Sequence, residues 1–234
     1  MCTLPFPASA TYSHRCGGFK GESIRDRSGQ WPKGAEICGV QVKRFCLAIA
    51  AALLAGCGAP DLTFEAKVAD LHKPGNHLAY KKEPEALVTF KAPGKMLDPL
   101  APLGRVTREQ ADWSTPEHAA ESVISANVLG DLPWIVRNFV SGERPEAGRQ
   151  LQDPLAAART RAYFMNLGTV KLIGWAEFGD ARIMFLRGDD GDGDASVATM
   201  VLAKTAEGWR QTTALSRDDR FDMIVTALHH GGVK

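Results

Sequence analysis

The sequence predicts an α+β domain: three helices, then a curled antiparallel sheet of about four strands, then a C-terminal helix. Three observations carry this. Between residues 114 and 168, apolar side chains recur at helical spacing. From 170 to 215 they alternate instead, in runs broken by Gly-Asp and Glu-Gly pairs. Turns this short join antiparallel neighbours, because a parallel pair needs a long crossover.

Each element has its own signal. Ser114-Thr115-Pro116-Glu117 opens the first helix with a hydroxyl cap, an early proline and a glutamate three on from the serine. Ala120, Val123, Ile124 and Asn127 follow at helical spacing, and Gly130 stops the helix. Asp131 caps a second helix, where Leu132, Ile135, Val136 and Phe139 fall at i, i+3, i+4 and i+7. Asp153-Pro154 starts a third, carrying Leu155, Ala158, Ala162 and Met165 and closed by Gly168. Val170, Leu172, Ala176 and Phe178 alternate on the first strand, and Gly179-Asp180 turns into a second centred on 183–186. A third spans 197–203, and Glu207-Gly208 leads into a fourth over 209–215. Ser216-Arg217-Asp218-Asp219 caps the last helix, with Phe221, Ile224, Val225 and Leu228. The domain so defined runs from 114 to 230.

Composition narrows the class. A chain of 234 residues has room for one ordinary core or two small ones. Hydrophobic residues make up 44% and charged residues 24%, the mix of a globular protein and not a disordered one. A net charge of +1 gives no footprint for nucleic acid. No apolar stretch reaches the roughly 20 residues that span a bilayer as a mature helix.

The cysteines point to an address. All five (2, 16, 38, 46 and 57) lie at or before position 57. Lys43-Arg44 precedes the short apolar run from Phe45 to Leu54, the layout of a secretory signal over 42–56. The run ends Leu54-Ala55-Gly56-Cys57, which resembles the lipobox of bacterial lipoproteins at every position. The resemblance implies cleavage between Gly56 and Cys57 and a diacylglyceryl group on the Cys57 thiol. It implies a protein held by lipid on the cell membrane or outer membrane, facing the periplasm or exterior. Gly58, instead of Asp, favours the outer membrane. Several acyl chains on one residue make a durable anchor, whereas one chain binds only marginally. Residues 1–41 are expected to be a disordered leader or an untranslated extension, with Val42 or Val40 as the start. Residues 57–113, rich in Pro and Gly, are expected to be a tether with short strands at 62–68 and 85–91. Without residues 1–56 the chain is slightly acidic and keeps one cysteine, so no intrachain disulfide is expected.

Four short pieces of the domain, Thr115-Pro116-Glu117-His118-Ala119-Ala120, Leu129-Gly130-Asp131, Phe178-Gly179-Asp180-Ala181 and Gly208-Trp209-Arg210, occur in an order and spacing that resembles the nuclear-transport-factor-two-like superfamily, also called cystatin-like or SnoaL-like. The resemblance covers about residues 114–228. It implies a cone, with the sheet curled over the helices and a cavity at its open end. In that superfamily some members are isomerases or dehydratases and many are binding or assembly modules, so fold alone does not assign an activity.

Catalysis in such a cavity needs an inward carboxylate or His with a Tyr or second acid. Tyr163 on the third helix is the candidate hydroxyl, although a helical Tyr beside Phe164 is more often core. Glu177 alternates with Phe178 and reads as solvated. No catalytic residue is assigned. Trp134, Trp175 and Trp209, with Tyr163, are the candidate pocket walls.

In Asp190-Gly191-Asp192-Gly193-Asp194 the acids match positions 1, 3 and 5 of a calcium loop. Ala195 and Val201 stand where that loop needs Gly and Glu, so it reads as a solvated hairpin. His229 and His230 are adjacent on a helix and do not share a face. No metal and no cofactor are expected, since no nucleotide-binding Gly loop or Ser-His-Asp order is present. The expected function is a non-enzymatic module that binds an envelope protein or an apolar ligand, or pairs as a homodimer through an exposed sheet face. The alternative is a small-molecule isomerase or hydrolase using the cone cavity.

Overall fold

A computed structural model describes residues 59–73, 75–189 and 195–234. The expected signal segment with Gly56 and Cys57, and the acidic loop 190–194, lie outside the described residues. Six strands form one antiparallel meander: β1 (Asp61–Lys67), β2 (Leu87–Pro102), β3 (Thr169–Phe178), β4 (Ala181–Asp189), β5 (Ala195–Thr205) and β6 (Gly208–Gln211), in that spatial order. Between β2 and β3 run four helices: α1 (Pro116–Leu129), α2 (Leu132–Arg137), α3 (Arg144–Leu151) and α4 (Pro154–Asn166). The fifth, α5 (Asp219–His229), follows β6.

The architecture is mixed α+β, but the expected four strands and three leading helices are corrected to six and four. Both extra strands come from the segment expected to be a tether with short strands at 62–68 and 85–91; β1 lies at the first of these, and β2 extends well beyond the second. In β1 the alternation buries Leu62, Phe64 and Ala66. β2 serves two partners in turn: 87–93 pairs with β1, while Gly94–Met96 and Ala101-Pro102 pair with β3. Its Pro and Gly residues therefore mark a strand that changes partners, not a linker. Proline donates no amide hydrogen bond to a ladder and suits such a site. At Gly94 the strands approach so closely that a Cβ would lie 2.5 Å from the Trp175 carbonyl oxygen. The connection between β1 and β2 is also tied down. Asn76 Nδ2 donates to Asp222 Oδ2 at 2.9 Å and to the Asp219 carbonyl at 3.0 Å. The Asp219 carboxylate accepts from the His77 amide and from Lys73, contacts that hold it well below the usual carboxylate range.

α3 was hidden because Ala147 is its one buried residue, so no apolar period marks it. The other helix starts follow the sequence signals. Asp131, Asp153 and Asp218 accept from backbone amides of Trp134, Leu155 and Arg220. On α1 the capping hydroxyl is Thr115, not Ser114. Gly130 ends α1 in the left-handed conformation at φ 71°, which glycine adopts without steric cost.

The sheet is packed on both faces. Leu172, Met184, Leu186, Ala198, Met200 and Leu202 meet Ala119, Ala120, Val123 and Ile124 of α1. The opposite face, with Phe64, Ala176, Ile183, Phe185 and Val201, lies under Ile224, Ala227 and Leu228 of α5. The sheet face expected to be open for a homodimer is the one on which α5 packs. Residues 232–234 line the free edge of β1: Glu65 N donates to the Gly232 carbonyl, and Thr63 and Lys234 exchange two backbone bonds of 2.9 Å.

Candidate functional site

Of the candidate pocket residues, Trp175 and Trp209 flank an arginine, Arg182. Trp175 on β3, Arg182 on β4 and Trp209 on β6 belong to strands that share the helix-facing core. The Arg182 guanidinium carbon lies 4.2 Å from the Trp175 ring centroid and 5.5 Å from that of Trp209. A cation over an indole face is attracted by the ring quadrupole, more strongly where water is excluded. Arg182 Nη2 also donates to Glu177 Oε1 at 3.0 Å, across the β3–β4 pair. Its Nε is buried and has no hydrogen-bond partner among the described residues.

A second stack stands beside the first. Trp113, in the loop before α1, accepts a backbone bond from Trp209 at 2.8 Å. Arg210 and Arg137 lie over its indole at 4.4 and 4.7 Å. Arg210 is 4% exposed, and its Nη1 donates to the Trp209 carbonyl. Glu207 sits among these cations, 2.5 Å from Arg144 and 3.7 Å from Arg210, and the Arg144 hydrogen bond lowers its carboxyl below the ordinary value.

Of the four candidate pocket residues, Arg182 brings two together, Trp175 and Trp209. Trp134, on α2, is fully buried, and its Nε1 donates to Ser122 Oγ of α1 at 2.9 Å. It is core, because the indole N–H already has an internal acceptor. Tyr163 lies on α4 with its ring edge-on to Phe164. The arginines were missed because their partners depend on strand register; only Gly208-Trp209-Arg210 placed one of them near the site.

Two depressions open elsewhere. One of about 300 Å³ lies among α1, α2, α3 and α4; the other, of about 250 Å³, is lined by Val106, Gln110, Asp112, His118 and Glu121. None of the four candidate pocket residues lines either. In the second, Asp112 accepts from the Ser114 hydroxyl at 2.6 Å, the Ser114 amide at 2.9 Å and His118 Nδ1 at 2.7 Å. These bonds, led by the Ser114 hydroxyl, lower the Asp112 carboxyl to about 2. A carboxylate on Nδ1 leaves Nε2 of His118 free to act as a base. The Ser114 hydroxyl, however, points to Asp112 and not to His118, so no nucleophile is activated. Both side chains are about half exposed, at 49% and 51%. Among the described residues no group of three His, Cys, Asp or Glu side chains could hold a metal.

The Asp112 contacts make a pH prediction. The folded-state pKa lies below the ordinary aspartate value of 3.8, so the stabilisation is present above that value and is lost as pH falls through about 2. Thermal melts between pH 5 and pH 2 should show a shallower acid-side decline for Asp112→Asn than for the wild type, once each is normalised to neutral pH. Identical slopes would remove Asp112 from the acid response.

No protein-family model matches the chain, and no curated protein matches it. Solved structures similar to part of it include a SEC-C motif containing protein from Rhodopseudomonas palustris. That chain is 19% identical with a TM-score of 0.29, over 42% of this chain and 75% of its own. Another is described as a calcium/calmodulin-dependent protein kinase type II association domain, from Thiobacillus denitrificans. It is 21% identical with a TM-score of 0.30, over 42% of this chain and 90% of its own. At those scores neither bears on this chain's activity.

Proposed function

We propose that this chain is a lipid-anchored envelope lipoprotein whose α+β domain is a non-enzymatic, protein-binding module. One observation carries the choice of module over enzyme. Trp175 and Trp209, expected as pocket walls, hold Arg182 between them, its guanidinium carbon 4.2 and 5.5 Å from their ring centroids, and neither lines either depression. An apolar ligand entering there would have to displace a guanidinium from two indole faces. The Cys57 anchor rests on the basic, apolar, lipobox order of residues 43–57. If it is right, the fold starts at Asp61, four residues beyond the lipid, and sits close to the bilayer.

The enzyme reading retains one supporting feature, the Asp112–His118 pair beside Glu121. It lacks an activated nucleophile, and both side chains are about half exposed.

Labelled palmitate tests the anchor: wild-type protein should take up label and lose residues 1–56, and Cys57→Ser should do neither. Undiminished label in Cys57→Ser would overturn it. Crosslinking in the native membrane followed by mass spectrometry tests the module. A stable protein partner is expected; a tightly retained small molecule in its place would restore the enzyme.

A further inference from the structure

The apolar stripe of α4 faces the wrong way for a core helix. Leu155, Ala158, Ala162 and Met165, spaced i, i+3, i+7 and i+10, form one face, the pattern that ordinarily packs inward. Here all four are exposed, Leu155 at 57% and Met165 at 54%, and no residue of α4 is buried. The half-buried side carries Ala157, Thr160 and Phe164 instead. Arg161 Nε donates to the Val128 carbonyl at 3.1 Å, which brings α4 alongside Leu129, 61% exposed at the end of α1. The depression of about 300 Å³ adjoins this face and is walled by Leu132, Ile135, Leu151, Ala157, Ala158 and Arg161, among others. An exposed apolar stripe beside an apolar depression marks an interaction surface.

Charge and position select the occupant. The charged residues of α4 are Arg159 and Arg161, with no acid between Pro154 and Asn166. A second copy packed antiparallel on the stripe would set these arginines against their own images. The stripe also lies far from the proposed anchor. The Pro60 carbonyl accepts from Gly94, and Gly94 pairs with Ala176, seven residues along β3 from Thr169, where α4 leads in. At about 3.3 Å per residue, roughly 20 Å separates the two ends. Pro60, three residues after Cys57 in the chain, therefore lies near the end of β3 remote from α4.

We propose that the α4 stripe and its depression form the docking site for an acidic amphipathic helix of a protein partner. The inference rests on the protein-binding reading above and locates its site. An apolar anchor of the partner fills the depression, and carboxylates along the partner helix meet Arg159 and Arg161.

The test uses the full chain in detergent and two synthetic helices, identical in leucine face but edged with glutamate or with lysine. Fluorescence anisotropy should show the glutamate helix binding about tenfold tighter than its lysine twin. Leu155→Glu with Met165→Glu should abolish binding, and Arg159→Glu with Arg161→Glu should reverse the preference. All four positions are exposed, so the fold is expected to survive, and circular dichroism checks this. Equal binding of both helices, or indifference to the α4 variants, overturns the docking site. If native-membrane crosslinking still captures a partner through those variants, the module reading stands and the α4 site alone falls. A dimer that Leu155→Glu breaks, or vesicle binding that it abolishes, would assign the stripe to a second copy or to lipid and would also overturn the proposal.

Discussion

A chain shortened to begin at residue 110 is expected not to fold, whereas one beginning at Gly58 is. The shorter chain keeps every helix and the four strands expected from the sequence, yet it loses β1 and β2. Leu62, Phe64, Val88 and Ala92 leave the core with them, and Ile183, Phe185 and Ile224 lose cover on that face. Burying a Leu, Phe or Val side chain contributes about 1.5–3 kcal/mol. Three such residues approach the whole stability of an ordinary domain, about 5–15 kcal/mol. The truncation also leaves β3 as an unpaired edge, which invites aggregation. Urea unfolding followed by near-ultraviolet circular dichroism distinguishes the two chains. A cooperative transition in the shorter chain would show that β1 and β2 are dispensable.

Asn138→Leu should be the most damaging single exchange near the tryptophan–arginine stacks. Asn138 is 1% exposed, and its Oδ1 accepts from Trp113 Nε1 and from Ser122 Oγ, each at 2.8 Å. Its Nδ2 returns a bond to the Ser122 carbonyl at 3.2 Å. Leucine has similar bulk but strands the indole N–H and the Ser122 hydroxyl. Each orphaned buried group costs about 1–3 kcal/mol, so a loss of about 3–5 kcal/mol is expected. Trp113 would loosen too, and with it the floor under Arg137 and Arg210. Equilibrium denaturation measures the loss, and a change within experimental error would mean that water replaces Asn138 at no cost.

The sequence was legible where a local cause suffices. Gly130, Asp131, Asp153 and Asp218 do their work within a turn of where they stand, so their roles can be read without the fold. Strands near 62–68 and 85–91 were legible from alternation, but their membership of the main sheet and the run of β2 on through Pro93, Gly94 and Pro99 to Pro102 were not, since a strand dense in Pro and Gly is distinguished from a linker by partners far away in the chain. The α4 stripe was visible as a face, but periodicity does not say what a face meets, and the expected core stripe is the exposed one. The site fared similarly. Trp175 and Trp209 stood out as aromatic residues, whereas Arg182 reaches them through the β3–β4, β4–β5 and β5–β6 registers. Trp134 looked equivalent to both until its N–H found Ser122. Leu54-Ala55-Gly56-Cys57 is the opposite case, a resemblance to a lipobox held wholly in contiguous residues and lying outside the described ones.

The last three residues lie along β1, whose other edge pairs with 87–93 of β2. If Cys57 is held in a membrane and a partner pulls on α4, the load enters along the axis of β1. Its hydrogen bonds, perpendicular to that axis, are then strained together in shear and do not peel apart one at a time. The strand that would join the domain to its anchor is thus clamped on both edges, the arrangement that best resists extraction, and mechanical resistance is set by the rate of forced unfolding and not by the equilibrium stability. Gly232 closes the clamp so tightly that a Cβ there would overlap the Glu65 carbonyl oxygen. Gly232→Ala would accordingly weaken the joint under tension.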